Sequence, residues 1–219
     1  NKGRKTCFAI GPVPFVCSEV LWCMEAIKNF RRMTAGVIFH LSTQHRHNVW
    51  DYKMHIDDDH QHYGSAIIQV AEDEHSESIA AWRPSGRVLR CAFRINKNTG
   101  LYLRYCSKPK GKKLKLYYFQ FSSDNLKELA AMHKKLRRLF LGLICVKGRQ
   151  VCCLPYDDFQ ALIEERKQAK GKVEAKYTIE VCLKKSEQFR VWISTPGEKN
   201  SSLDERIVPR NDFPTRLFT

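Results

Sequence analysis

Apolar residues recur at three- and four-residue spacing in three parts of this chain, which is the pattern of a helix with one buried face. The three stretches are residues 18–33, 124–140 and 157–170. Ser18 can cap the first helix, and Gly171 can end the third. The hydrophobic pattern therefore predicts three helices.

Shorter stretches alternate apolar and polar residues or form brief apolar runs, and both patterns are typical of strands. The predicted strands are residues 37–41, 66–71, 78–83, 87–95, 101–106, 114–121, 142–146, 151–154, 177–183 and 189–193. Residues 87–121 are expected to form a three-stranded antiparallel meander. Strands in hairpins with helices between them predict an α+β fold, in which a mainly antiparallel sheet carries about three packed helices.

The sequence predicts a weakly marked domain boundary near Gly142. Residues 1–141 would form an α+β body that includes the meander and the second helix, and residues 142–219 a smaller ββαββ-like part. The apolar side chains of the irregular tail, among them Phe213 and Leu217, predict that it docks on the body. A single domain is the alternative, since 219 residues suit one large domain or two small ones.

The composition is that of a chain that folds around a core. Hydrophobic residues make up 43% and aromatic residues 11% of the 219 positions, which argues against a disordered basic tail. We see no run of 18 apolar residues, so no membrane partner is expected. The nine cysteines contain no CxxC pair and indicate buried, reduced thiols. That favours the cytoplasm or, in a eukaryote, the nucleus.

The positive charge is concentrated in one band. Residues 81–150 hold 18 basic residues and only two acids, a net charge of +16, whereas the whole chain carries +15. Such a band repels itself, and a polyanion relieves that repulsion. The leading hypothesis is therefore a nucleic-acid-binding protein that holds a phosphate backbone with a sheet, loop and helix surface within residues 87–138. The pattern does not distinguish DNA from RNA.

Ten residues of this band are the predicted nucleic-acid contacts. Arginine on a strand can make forked phosphate contacts, and lysines in a loop can follow a phosphate backbone. Tyr102 is expected to stack on an unpaired base. The basic members are Arg90, Arg94, Arg104, Lys110, Lys112, Lys113, Lys115, Lys134 and Arg138.

A segment rich in histidine and aspartate indicates a second kind of chemistry. Two His-x-His pairs lie between residues 40 and 75, and three aspartates directly precede the second pair. On a strand, His-x-His puts both rings on one side, where they could share a metal ion that activates water. The candidate ligands are His45, His47, Asp58, His60 and His62. The alternative is an exposed polar loop with solvated histidines.

An acid followed by x-Lys is a pattern of metal-dependent nucleases, in which the acid holds the metal and the lysine steadies the water or the phosphate. Asp51 and Lys53 form one such triplet and are the predicted catalytic residues of a nuclease alternative. Its cofactor would be Mg²⁺ or Mn²⁺ in preference to Zn²⁺. Glu174-Ala175-Lys176 is a second triplet, and either pattern also fits an exposed ion pair.

A third alternative is a subunit of a larger nucleoprotein assembly. Its basic band would then meet an acidic protein partner or a shared nucleic acid. The tail that carries Phe213 and Phe218 motivates this alternative, as does the first residue, Asn1, which is expected for part of a longer chain.

Overall fold

The computed structural model describes residues 56–86, 88–111, 114–198 and 201–219. The helix predicted at 18–33 and the strand predicted at 37–41 lie outside the described residues. Nine strands are described: β1 (Ile79–Ala81), β2 (Ala92–Ile95), β3 (Thr99–Cys106), β4 (Lys115–Ser122), β5 (Arg138–Cys145), β6 (Gln150–Pro155), β7 (Lys176–Leu183), β8 (Phe189–Ile193) and β9 (Arg206–Val208). The described helices are α1 (Asp58–Ala71), α2 (Ser123–His133) and α3 (Tyr156–Lys170).

The strands form two sheets. The first has the order β1-β2-β3-β5-β6 and the second the order β4-β7-β8-β9. Neighbouring strands are antiparallel except β3 and β5, which run parallel. The chain passes from β3 to β5 through β4 and α2, because a parallel pair needs a long crossover connection. This architecture confirms the predicted α+β class with mainly antiparallel sheet.

Both faces of the first sheet are buried. Along β3, Leu101 and Leu103 pack with α1, while Tyr102 joins a larger core on the opposite side. That larger core also contains α2, α3 and the inward side chains of the second sheet, such as Phe119 and Ile179. Alternation along each strand therefore sends successive residues into different layers.

Local signals fix the ends of the helices. Asp57 caps α1 by accepting a hydrogen bond from the backbone N–H of His60 at 3.0 Å, and the His60 ring accepts one from the Asp57 N–H. Ser122 and Asn125 make the same reciprocal arrangement at the start of α2. Gly171 ends α3 at φ 69°, a conformation that costs other residues energy.

Three sequence predictions of elements were wrong. Residues 66–71 belong to α1, because Tyr63, Ala66 and Val70 bury one helical face. Helix α2 ends at His133, seven residues before Phe140, the last residue of the predicted helix, and Phe140 lies in β5. The predicted meander is divided, since β4 pairs with β7 in the second sheet and not with β3.

The boundary expected between residues 141 and 142 falls inside β5, which pairs with β3 and β6 along its length. The residues that the structure describes all belong to one compact unit. In the tail, Leu217 is fully buried, and Phe213 and Phe218 pack beside it in the smaller core. None of the helices in the described ranges is long and apolar enough to cross a membrane.

The cap of α1 gives a first prediction. Replacing Asp57 by Ala removes the acceptor for the His60 N–H and the ion pair with Arg90 at 2.8 Å, so the free energy of unfolding should fall. Urea denaturation at pH 7 measures this change. Asp58→Ala removes the same charge without a cap and should cost less than about 0.5 kcal/mol. Equal losses in the two variants would contradict the capping role.

Candidate nucleic-acid interface

The predicted nucleic-acid contacts do not form one surface. Arg94, Lys134 and Arg138 lie near the N-terminal ends of β3 and β5, whereas Lys110 and Lys115 lie beyond their C-terminal ends. The eight residues of β5 separate these ends by about 23 Å at the usual rise of a strand. Lys112 and Lys113 lie outside the described residues. The described members of the sheet, loop and helix surface predicted within residues 87–138 are therefore divided between two ends of the first sheet.

At the N-terminal end, the basic side chains have different surroundings. Arg94 and Lys134 are exposed. Arg138 is half-buried, and its guanidinium donates hydrogen bonds to Thr99 Oγ1 at 3.1 Å and to the carbonyl of Leu217 at 3.0 Å. Arg138 thus anchors the C-terminal tail, and this role explains its place in the sequence without a phosphate contact.

Three further predicted contacts are paired with other side chains of the protein. Tyr102 is only 1% exposed and its hydroxyl donates to Glu128 at 2.9 Å, so the prediction that it stacks on a base was wrong. Arg104 lies half-buried over the Tyr102 ring and donates to Asn125. Arg90 is exposed but pairs with the N-cap residue of α1. Tyr102 and Arg104 share one parity on β3, which places their side chains against α2, whereas Arg90 lies in a turn before β2, beside the start of α1.

The C-terminal ends of β3 and β5 gather basic residues from four separate segments of the chain. Lys115 begins β4, and its Nζ donates to the carbonyl of Lys147 in the turn between β5 and β6 at 3.3 Å. Lys115 also pairs in register with Leu183, the last residue of β7. We call the resulting group the basic end: Lys108, Lys110, Lys115, Lys147, Arg149, Lys184, Lys185 and Arg210. Within the described part of the chain, Lys184 with Glu187 is the one ion pair that these eight residues make.

A groove on the outer face of the second sheet adjoins the basic end. Tyr118, Glu180 and Trp192 stand opposite one another on β4, β7 and β8, and so form a row across three strands. Two cavities of about 480 Å³ each lie along this row and share Tyr118, Glu180 and Ser194. Lys108 and Lys110 line the first cavity, whereas Trp192 and Glu198 line the second.

Glu180 is the one charged residue among those described that is buried, with 9% of its surface exposed. Burial raises the pKa of its carboxyl group, and the facing side chains of Ser194 and Trp192 and the charge of Lys110 partly oppose that increase. The Lys110 ammonium also lies 4.5 Å from the centre of the Tyr118 ring. The groove therefore offers aromatic faces, a desolvated acceptor and a cation within one surface.

A smaller pocket of about 300 Å³ lies where the turn between β5 and β6 meets the end of the second sheet. Gly148 and Leu183 form part of its wall. Its remaining lining residues are all basic: Lys115, Lys184, Lys185 and Arg210. We call this the cationic pocket.

The predicted catalytic and metal residues are only partly described. Asp51, Lys53, His45 and His47 lie outside the described residues. Asp58, His60 and His62 lie on α1 and not on a strand, so the two histidine rings point about 200° apart around the helix. His60 pairs with Asp57, and His62 stacks on Tyr105 with ring centres 4.5 Å apart. In the described ranges, no three His, Cys, Asp or Glu side chains converge as a metal site.

The second acid-x-Lys triplet is also accounted for by internal contacts. Glu174 accepts hydrogen bonds from Arg166 at 2.7 and 3.2 Å and contacts Lys170. Lys176 is exposed at the start of β7. The Glu174 carboxylate is therefore engaged by two cationic side chains of the protein itself.

Sequence reasoning missed much of the basic end and the groove. Lys184, Lys185 and Arg210 lie outside the band that charge counting singled out. Trp192 was not among the predicted contacts, although its neighbours Val191 and Ile193 carry the inward parity of β8. Strict alternation along β8 is the signal that could have placed Trp192 on the outer face. No family model, curated protein or solved structure matches this chain.

Proposed function

We propose that this protein binds nucleic acid, and that an unpaired strand lies along the groove with its phosphates toward the basic end. The observation that carries the proposal is the convergence of eight basic residues from four chain segments beside an open sheet face. Such crowding of like charges is unfavourable until a polyanion neutralises it.

The groove supports an unpaired strand in preference to a duplex. An antiparallel sheet that presents aromatic rings on an open face can stack on bases. The faces of the bases are accessible for such stacking only when the bases are not paired. Tyr118 and Trp192 supply two such rings. Glu180 between them can accept a hydrogen bond from an exocyclic amino group of a base. Lys108 and Lys110 line the same cavity as Tyr118 and can contact the phosphates.

The proposal predicts a reduced salt dependence when the groove lysines are neutralised. In the variant K108Q/K110Q, two phosphate contacts are lost, so the log–log slope of affinity against salt should become about 1.4 smaller for single strands. Affinity at 0.1 M salt should fall about tenfold. Fluorescence anisotropy with labelled single- and double-stranded DNA and RNA measures both quantities.

The control variant K172Q/K176Q removes the same charge at exposed positions. Lys176 pairs with Ser122 at the opposite end of the second sheet from Lys115, so this variant should bind within about twofold of the native protein. Equal losses in both variants would mean that only net charge matters. A native protein that binds no nucleic acid at low salt would contradict the proposal and leave an acidic protein as the partner of the basic end.

A further inference from the structure

The cationic pocket carries a more specific inference, because its charges converge instead of spreading over a surface. Lys115 comes from β4, Lys184 and Lys185 follow β7, and Arg210 lies in the tail. No acidic side chain lines this pocket, whose lining residues are all described. The nearest acid in the ion pairs is Glu187, which contacts Lys184 at 3.3 Å from the exposed turn.

Arg210 is held in place before any ligand arrives. Its Nε donates to Gln150 Oε1, and its Nη1 donates to the carbonyl of Lys184 at 3.1 Å. Its backbone N–H is also engaged, with Gln188 Oε1 as acceptor. The acceptors come from two segments, the start of β6 and the turn between β7 and β8, and the two bonds to the side chain fix the half-buried guanidinium at the pocket wall. A preorganised guanidinium loses little conformational entropy when it binds an anion.

We propose that the cationic pocket binds a phosphate monoester. Four basic side chains match a group that carries nearly two negative charges and three acceptor oxygens at neutral pH better than they match a singly charged carboxylate. Guanidinium and ammonium groups are the usual donors to such oxygens. A volume of about 300 Å³ accommodates a phosphate group together with part of what it is attached to.

Two sources supply this chemistry: the terminal phosphate of a nucleic-acid strand and a free phosphorylated compound. The first rests on the proposed function. It is favoured by position, because Lys115 lines the pocket while its chain neighbours Leu114 and Leu116 line the groove. A strand along the groove could therefore place its end beside the pocket.

The test compares oligonucleotides that differ only at their ends. Single strands of one sequence carry a phosphate or a hydroxyl at the 5′ end, and a second pair differs in the same way at the 3′ end. The native protein should bind one phosphorylated strand about tenfold more tightly than its hydroxyl counterpart, as two charge-assisted hydrogen bonds would give. K115Q/K185Q should bind the phosphorylated and hydroxyl strands equally well. Because both lysines also belong to the basic end, this variant should bind every strand about tenfold more weakly than the native protein, so the ratio between the two ends is the readout. K172Q/K176Q should keep the preference.

Inorganic phosphate separates the second source from the first. Inorganic phosphate is titrated into the protein while chloride keeps the ionic strength constant, and calorimetry measures the binding. The native protein should bind phosphate and K115Q/K185Q should not. Both lysines are exposed, and melting temperatures of the variants confirm that they fold.

The outcomes separate the pocket from the groove. Binding of all strands without preference for any terminal phosphate, together with no binding of inorganic phosphate, overturns the pocket while the proposed function stands. Phosphate binding that depends on Lys115 and Lys185, without binding of any strand, supports the pocket with a free phosphorylated ligand and contradicts the proposed function. Phosphate binding that K115Q/K185Q retains overturns the assignment to this pocket.

Discussion

Replacing Phe159 by Ala is expected to lower the free energy of unfolding by about 3–5 kcal/mol. Phe159 projects from α3 into the larger core and is only 1% exposed. Its ring centre lies 4.8 Å from that of Phe121 on β4, so the side chain links α3 to the second sheet. Truncation leaves a cavity between two layers that α3 and the strands cannot close independently. Urea denaturation with an unchanged slope, and a melting temperature lower by about 10 °C, would measure the loss.

Phe159→Leu is the matched control, because it keeps most of the buried volume and should cost about 1–2 kcal/mol. Val173→Ala tests the opposite extreme, since Val173 is 76% exposed and the change should stay within about 0.5 kcal/mol. A loss below about 1 kcal/mol in Phe159→Ala would mean that α3 does not pack on the second sheet as described.

The elements that the sequence predicted best are strands of the second sheet. Residues 177–183 alternate in type and nearly coincide with β7, and β8 was predicted with its bounds. Each lies in the second sheet, where one face meets the core and the other meets the groove. The adjacent cysteines Cys152 and Cys153 were also predicted to be buried, and both are. Each points to a different face of β6, into a different core.

Alternation gave no guidance where both faces are buried. β5 is apolar throughout because Leu139 and Leu141 face the larger core while Phe140 and Ile144 face α1 and the tail. Such a run fits a helical stripe as well as a strand, and the predicted helix 124–140 therefore ran into β5. A short apolar run can likewise suit a helix or a strand, and residues 66–71, which belong to α1, were predicted to be a strand. Only tertiary pairing decides these cases.

The sequence also did not reveal which strands pair with each other. A meander through β2, β3 and β4 is the simplest reading of consecutive strands, yet β4 pairs with β7, some 60 residues later. This one difference moves Tyr118 to an open outer face and brings Lys115 beside Lys184. The charge band was visible in sequence, but its division into two ends and the addition of Arg210 depend on topology. Charge counting along a chain measures proximity in sequence, and a ligand responds to proximity in space.

The strongest pH dependence of stability is expected from Glu174. Arg166 and Lys170 donate hydrogen bonds to its carboxylate and lower its pKa to about 2. A folded-state pKa below the unfolded value of about 4.3 stabilises the protein above that value, and the contribution disappears as the pH falls toward 2. The side chains of Glu174 and Arg166 are 14% and 16% exposed, so solvent screens this pair only in part. Its contribution at neutral pH is therefore about 2–3 kcal/mol.

Glu174→Gln should accordingly lower the free energy of unfolding by about 2–3 kcal/mol at pH 7, and by progressively less between pH 5 and pH 2. Urea denaturation of both proteins across this range gives the difference directly, because the other carboxylates titrate in both and cancel. Glu164→Gln is the control, since Glu164 pairs with Lys167 on the same helix but is 48% exposed, and its loss should stay near 0.5 kcal/mol. A difference between native protein and Glu174→Gln that stays constant with pH would show that the pKa of Glu174 is not lowered by folding.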